Sequence, residues 1–248
     1  MKKLGFLNSA SSTELADAVK AFHQGMKQGG FVERKNVKVI YQWAKHDLSR
    51  LPDMARKLVE AGVDVLAATG GLATAMVAVE AAKGATKPIR VVFVGSFDPA
   101  KARLAGKLDL PNGKATGVNT STTESLPNRL RMARELVGAT KVALLVKPNT
   151  LLSQLETENA GETPILEAST EAELKARFIQ AKRERLAIVV GADAFFTSKL
   201  KKIGALAKQH GVPASYPWRA YVKARGLRSH RPSLPNAYRQ AGVHAGRF

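Results

Sequence analysis

The chain is 248 residues long, with 45% hydrophobic residues, no cysteine and a formal net charge of +19. That length accommodates one large domain or two of ordinary size, and the apolar content is that of a globular protein with a real core. The absence of cysteine excludes disulfides, thiolate zinc sites and cysteine nucleophiles, and no apolar run approaches the roughly 18 residues of a membrane helix.

Strands and helices alternate from the first residues. Lys3 to Leu7 reads as a strand that runs into Asn8-Ser9-Ala10-Ser11-Ser12. Thr13 and Glu14 open a helix whose apolar positions Leu15, Ala18, Val19, Phe22 and Met26 keep helical spacing until Gly29-Gly30 stops it. Asn36 to Trp43 alternates in the manner of a strand towards a sheet edge. Leu51 to Ala61 reads as a helix, with Pro52 tolerated in its first turn. Val63 to Ala68 reads as a buried strand. It leads into Thr69-Gly70-Gly71 and a helix from Leu72 to Lys83. Pro88 introduces a strand over 89–94, followed by Gly95-Ser96-Phe97-Asp98-Pro99. Residues 100–119, with Gly106, Pro111, Gly113 and Gly117, read as a connection out of one lobe and into another.

The pattern then restarts. A strand over 141–146 ends in Lys147-Pro148-Asn149 and parallels the first strand. Leu151 to Glu158 offers at most two helical turns, a shortened crossover close to the minimum between parallel strands. A short strand follows at 164–166. Leu186 to Val190 is again apolar throughout, and it leads into a loop containing Gly191, Ala192, Asp193, Ala194, Phe195 and Phe196. Thr197 or Ser198 is expected to N-cap the helix carrying Leu200, Ile203, Leu206 and Ala207. Gly211 ends that helix, and a strand over 213–216 leads into Pro217-Trp218.

Alternation of this kind gives the α/β class with parallel sheets. The repeated pattern gives two similar Rossmann-like lobes, one of residues 1–115 plus 222–248 and the other of 116–221. The expected ligand site is the cleft between the lobes, at the carboxyl ends of the strands.

Charge and catalysis narrow the function further. The basic residues are spread over nearly every predicted helix, and no helix-turn-helix, zinc-finger or RNA-recognition pattern is present, so nucleic acid is not an expected partner. From Arg219 onward Lys223, Arg225, Arg228, Arg231, Arg239 and Arg247 occur without an acidic residue. That tail is either a docking face for an anionic partner or an unneutralised end. The five histidines are scattered and do not fall at metal-ligand spacing, so no metal or cofactor is expected. No Ser-His-Asp set or acid–base carboxylate pair stands out, apart from Asp98 and Asp193 if they face one another across the cleft.

An ordered set of segments carries a family resemblance: GFLNSAS, YQWA, ATGGLATA, VVFVGSFDP, ATGVN, GADAFFTS, VPASYPWRAYV and the stretch from GLRSH through NAYRQAGVHAGR. Together they resemble the bacterial ABC-transporter solute-binding proteins related to the tryptophan-binding TrpX group. The resemblance covers nearly the whole chain. It implies a type I, two-lobed periplasmic binding protein, monomeric and not an enzyme, that delivers an amino acid or aromatic acid to a membrane permease by hinge closure. Three features depart from the family pattern. The helix near 151–160 is shortened. Arg228, His230 and Arg231 replace an apolar residue, Tyr and Gly. Phe248 falls inside what the resemblance makes the last helix. MKKLGFLNSA carries an apolar run too short for a secretory leader of about 7–15 residues; a processed chain, a missing start and a cytosolic protein all fit it. The alternatives are a cytosolic sensor lobe of the lac-repressor type and an α/β enzyme.

Candidate ligand residues follow from the strand ends and the resemblance. Thr69-Gly70-Gly71 stands between a buried strand and a helix, where free N–H groups and the helix dipole attract an anion; a tight turn alone also needs the glycines. Asn8, Ser9 and Ala10 end the first strand, and Ser96, Phe97 and Asp98 end the fourth. Asp98 accepts a ligand amine, or only terminates the strand or caps a helix. Asn119, Asp193, Ala194, Phe195, Tyr216 and Trp218 belong to the second lobe's side. One of Phe195 and Phe196 is core, and Tyr216 and Trp218 either stack on the ligand or pack a hinge.

Overall fold

The structure, a computed structural model, describes residues 1–96, 115–120, 125–136, 141–217 and 233–248. Its elements in chain order are β1 (Lys2–Asn8), α1 (Ala16–Gly29), β2 (Val37–Trp43), α2 (Leu51–Glu60), β3 (Val65–Ala68), α3 (Leu72–Lys83), β4 (Arg90–Gly95) and β5 (Ala115–Asn119). There follow α4 (Leu126–Leu136), β6 (Lys141–Val146), α5 (Leu151–Glu158), β7 (Ile165–Glu167), α6 (Glu171–Arg183), β8 (Leu186–Val190), α7 (Ala194–Ser198), α8 (Leu200–His210), β9 (Ala214–Ser215) and α9 (Leu234–Gly246). The chain divides into two units, Met1–Thr120 with Leu234–Phe248, and Ser121–Ser233.

The first unit is a parallel sheet in the order β2-β1-β3-β4-β5. Alternation along β1 decides what covers each face. Leu4 and Phe6 join Val65, Ala67, Val92 and Val94 beneath Phe22 and Met26 of α1 and Tyr238 and Ala241 of α9. Gly5 points the other way, against Leu58 of α2. The sheet is thus wound on both faces, as its continuous apolar strands require. Helices α1 and α9 approach closely because both present glycine at the contact. A Cβ on Gly25 would strike the Arg239 carbonyl oxygen, and one on Gly242 would strike that of Phe22. The C-terminal helix ends at Gly246, so Phe248 lies beyond it, with the Arg90 guanidinium 4.7 Å from its ring centroid.

The unit boundary differs from the expected one. Residues 115–119 form a strand in register with β4, Val91 opposite Ala115 and Gly95 opposite Asn119. The Thr120 N–H and hydroxyl both donate to the Gly95 carbonyl at 2.9 Å. Glycine at 117 is what the pairing needs, because a Cβ there would collide with the Phe93 ring. The expected return of the chain near 222, and the departures at Arg228, His230 and Arg231, lie outside the described residues.

The second unit repeats the theme in four parallel strands, ordered β7-β6-β8-β9. Leu126, Leu130 and Ala133 of α4 pack on Val142, Leu144, Ala187 and Val189. Helix α5 is as short as the sequence indicates, opened by a reciprocal Thr150–Ser153 capping box. One expectation needs correction: the segment after Gly191 is not all loop. Asp193 caps α7 by accepting from the Phe195 N–H at 2.8 Å, and the Thr197 and Ser198 hydroxyls donate back into that turn. Helix α8 starts after Lys199 with no side-chain cap, so neither hydroxyl caps it. Both phenylalanines are buried, Phe195 at 5% and Phe196 at 0% exposure, so the pair does not divide into one core ring and one free ring. Among the described residues no helix is long and apolar enough to cross a membrane.

Candidate functional site

A doubly wound sheet opens a crevice where two adjacent strands send their connections to opposite faces. In the first unit those strands are β1 and β3, since β1 leads to α1 under one face and β3 to α3 on the other. The residues at their carboxyl ends are Asn8-Ser9-Ala10 and Thr69-Gly70-Gly71, and the fold brings all six positions together.

Hydrogen bonds define how. Asn8 Nδ2 donates to Thr69 Oγ1 and to the Tyr238 hydroxyl, each at 3.0 Å, and Asn8 Oδ1 accepts from the Ala10 N–H at 2.8 Å. The Tyr238 hydroxyl donates to the Thr69 carbonyl at 2.7 Å. Burial pushes the Tyr238 hydroxyl's pKa up to about 12, so it stays a proton donor. Ser9 Oγ donates to the Gly70 carbonyl at 2.9 Å. Asn8, Ser9 and Thr69 are thus buried framework that fixes the two loops to each other and to α9.

The main chain of these loops faces the crevice differently. Gly71 adopts φ 89°, a conformation that disfavours any side chain. Helix α3 follows with no side-chain cap, and Thr74 in its first turn has a wholly buried hydroxyl oxygen without a hydrogen-bond partner. An uncapped first turn presents N–H groups and the positive end of the helix dipole.

A second cluster holds the β1 loop from outside. Glu14 Oε2 accepts from the Ser11 N–H at 3.0 Å and the Ser11 hydroxyl at 2.6 Å, and lies 2.8 Å from His46 Nε2. Burial alone would raise the Glu14 pKa, but the Ser11 and His46 hydrogen bonds outweigh it and hold the carboxyl at about 2. Serine bonds the carboxylate and not the imidazole, so the trio lacks the proton path of a nucleophilic triad. Glu14 also serves this loop, and α1 begins only at Ala16.

In the second unit the corresponding crevice lies between β6 and β8. There the chain supplies its own anion. Glu156, 1% exposed on α5, accepts from the Ala192 N–H at 2.8 Å through Oε1. Its other oxygen lies against Gly191, where a Cβ would sit 2.5 Å away. Arg129 of α4, equally buried, donates to the Val190 carbonyl. Burial raises the Glu156 pKa to about 7; the Arg129 charge and the Ala192 hydrogen bond pull it down, and the Asp193 charge pushes it up. Asp193 and Ala194 are half-buried beside this carboxylate, and the Lys147 ammonium is 6.0 Å from the Phe195 ring centroid.

Of the remaining candidates, Ser96 follows β4 and is buried, and Asn119 ends β5 and is exposed. Tyr216 is buried after β9, which raises its hydroxyl pKa to about 12. Phe97, Asp98 and Trp218 lie outside the described residues. Sequence reasoning did not single out Tyr238, His46, Arg129 or Glu156. Glu156 alone left a signal: it stands four residues after Leu152, inside the buried stripe of α5. Among the described residues no group of His, Asp and Glu could hold a metal ion.

The family model described as "ABC transporter substrate binding protein" matches residues 5–247. A tyrosine-binding protein of Clostridioides difficile is 24% identical over 159 residues, which are 64% of this chain but only 44% of that relative. Among solved structures, an ABC domain from Streptococcus pneumoniae in complex with L-Trp aligns with TM-score 0.77 at 21% identity, over 99% of this chain and 82% of that one. The branched-chain amino acid transporter substrate binding protein LivJ of Streptococcus pneumoniae, in complex with isoleucine, aligns with TM-score 0.62 at 16% identity, over 98% and 82%. At such identities these likenesses bear on the fold: α/β units with parallel sheets, of the type I periplasmic-binding-protein kind.

Proposed function

Because the chain belongs to the ABC transporter substrate binding protein family, we propose that it is the solute-binding component of an import system and that its solute is an amino acid. The permease of that system is its membrane partner, and the compartment is the one outside the cytoplasmic membrane. The observation that carries the reading is the difference between the two crevices. The second is filled by the chain's own Glu156, whereas the first ends in an uncapped helix behind Gly71. A ligand carboxylate fits the first, on the main-chain N–H groups of 71–73, with Ser9, Ala10 and Gly70 forming the wall. Asn8 and Thr69 act through the loops they hold.

Within the second unit Asp193, half-buried at the head of α7, is the acceptor assigned to a cationic ligand group, with Ala194, Phe195, Tyr216 and Trp218 as the candidates beside it; within the first unit Ser96, Phe97, Asp98 and Asn119 are the further candidates. The tyrosine, tryptophan and isoleucine named for the relatives make an apolar or aromatic amino acid the first choice. Capture is by hinge closure: a ligand that binds the closed state more tightly shifts the equilibrium by that difference and no more.

Thermal melts against a panel of amino acids and aromatic acids test the reading. A ligand at about 100 times its dissociation constant adds roughly 2.7 kcal/mol, a shift of about 5–10 °C. A shift confined to apolar or aromatic amino acids is expected. A cooperative melt that no amino acid moves contradicts the proposal.

A further inference from the structure

We propose that Thr74 is a ligand-binding residue of the first unit, its hydroxyl donating to an oxygen of the solute's carboxylate. This contact rests on the reading that a carboxylate seats on the first turn of α3, and it adds a side chain to what is otherwise a main-chain site.

The sequence sets Thr74 apart. It is the only polar side chain among residues 72–79, a stretch of leucine, alanine, methionine and valine. It is wholly buried, and its hydroxyl oxygen has no hydrogen-bond partner. Buried hydroxyls almost always have one, because desolvation without a bond is costly. Valine has nearly the same shape and would fill the position without that cost.

The usual local partners are taken by other groups. With Gly71 as N-cap, Thr74 is the third residue of α3. A threonine hydroxyl inside a helix commonly turns back to the carbonyl three or four residues earlier. Here the Gly70 carbonyl accepts from Ser9 Oγ at 2.9 Å, and the Gly71 carbonyl accepts from the Ala75 N–H at 3.0 Å. Nor does the Thr74 hydroxyl cap the helix, which has no side-chain cap. Gly70 shows where the hydroxyl lies. A Cβ there would strike Thr74 Oγ1 and the Ser9 nitrogen, with Ser9 Oγ next at 2.9 Å. Thr74 Oγ1 therefore sits where the loop after β1 meets the start of α3, on the crevice side of the helix.

An ionised carboxylate supplies what is missing. It only accepts, and a hydroxyl donates to it in a charge-assisted bond. A carboxylate held by the N–H groups of 71–73 adjoins Thr74, the next residue of the same turn. Thr74 Oγ1 is sealed from solvent, so the bond forms by rotation about χ1. Threonine in a helix divides between two χ1 rotamers, and the change is a single step. Stability and affinity should then respond to this hydroxyl in opposite directions.

Thr74→Val and Thr74→Ser test this. Melted without ligand, Thr74→Val is expected to gain about 4 °C over the wild type, because it discards an unpartnered buried group. Calorimetric titration then uses the tightest binder among L-tyrosine, L-tryptophan and L-isoleucine. Thr74→Val is expected to bind about 10-fold more weakly, and Thr74→Ser to stay within about threefold of the wild type. A valine variant that melts no higher than the wild type overturns the proposal, since the hydroxyl then has a partner without the ligand. If the wild type binds none of the three, the amino-acid reading fails and the contact falls with it. If the wild type binds and Thr74→Val binds as tightly, or Thr74→Ser is as weak as Thr74→Val, the contact alone is refuted.

Discussion

Tyr238→Phe is the substitution that asks most of the framework argument. It removes one hydroxyl and leaves the ring, so no cavity forms and the packing of α9 on α1 is kept. What it takes away is defined: the Thr69 carbonyl loses a 2.7 Å donor, and Asn8 Nδ2 loses one of two acceptors. Both groups are buried. A buried polar group deprived of its partner costs about 1–3 kcal/mol. For a unit of this size that is a fall in melting midpoint of about 4 °C per kcal/mol, hence about 4–12 °C. The chain has two tryptophans. In a Trp218→Phe background Trp43 is the only one left, and its fluorescence reports the unit that contains β2. A double-mutant cycle with Asn8→Ala should then give a coupling of about 0.5–3 kcal/mol, as expected for groups within one network. A Tyr238→Phe midpoint within about 1 °C of the parent would refute the claim that this hydroxyl holds the two loops.

Other outcomes follow from neighbouring features. Gly242→Ala gains about 1 kcal/mol in helix propensity, but its methyl group meets the Phe22 carbonyl. Overpacking of that kind costs about 1–3 kcal/mol, so denaturant titration should show net destabilisation; a more stable variant would contradict the close α1–α9 approach. Glu14 has a folded pKa of about 2, below its ordinary value of 4.5. Its contribution is therefore present above pH 5 and is lost as pH falls towards 2. Stability profiles of the wild type and Glu14→Gln should converge over that window, and parallel profiles would show that the Ser11 and His46 bonds do not act on it. Asp193→Asn leaves an acceptor for the Phe195 N–H but removes the charge. Affinity for an amino-acid ligand should fall about 10-fold or more, as for a lost charge-assisted bond of about 1.5–3 kcal/mol, while the melting midpoint of the free protein moves little.

Much of the architecture was legible because buried parallel strands leave an unambiguous mark. Runs such as 65–68 and 186–190 have no polar face, and each is followed by small or polar residues where a helix begins. Residues 115–119 misled for a physical reason. A-T-G-V-N has the local composition of a turn, and only the Phe93 ring across the strand pair explains the glycine. The α7 turn misled similarly: Thr197 and Ser198 read as caps of α8, but they lie in a short helix of their own that Asp193 caps. At the site, strand-end positions such as Ser9 and Gly71 could be named from sequence. Tyr238 could not, because its partner Asn8 is 230 positions away. Arg129 and Glu156 were hidden likewise, since charge on a helix reads as surface unless the stripe it stands in is recognised as buried.

The central claim is that the protein binds an amino acid by its carboxylate at the first crevice. Calorimetric titration with L-tyrosine, L-tryptophan and tyramine, which lacks the carboxylate, tests it most directly. The account predicts one-site binding of at least one of the two amino acids. Tyramine should bind at least about 10-fold more weakly than L-tyrosine, in line with the loss of a charge-assisted contact. Tyramine binding as tightly as L-tyrosine, or no binding by either amino acid, would contradict it.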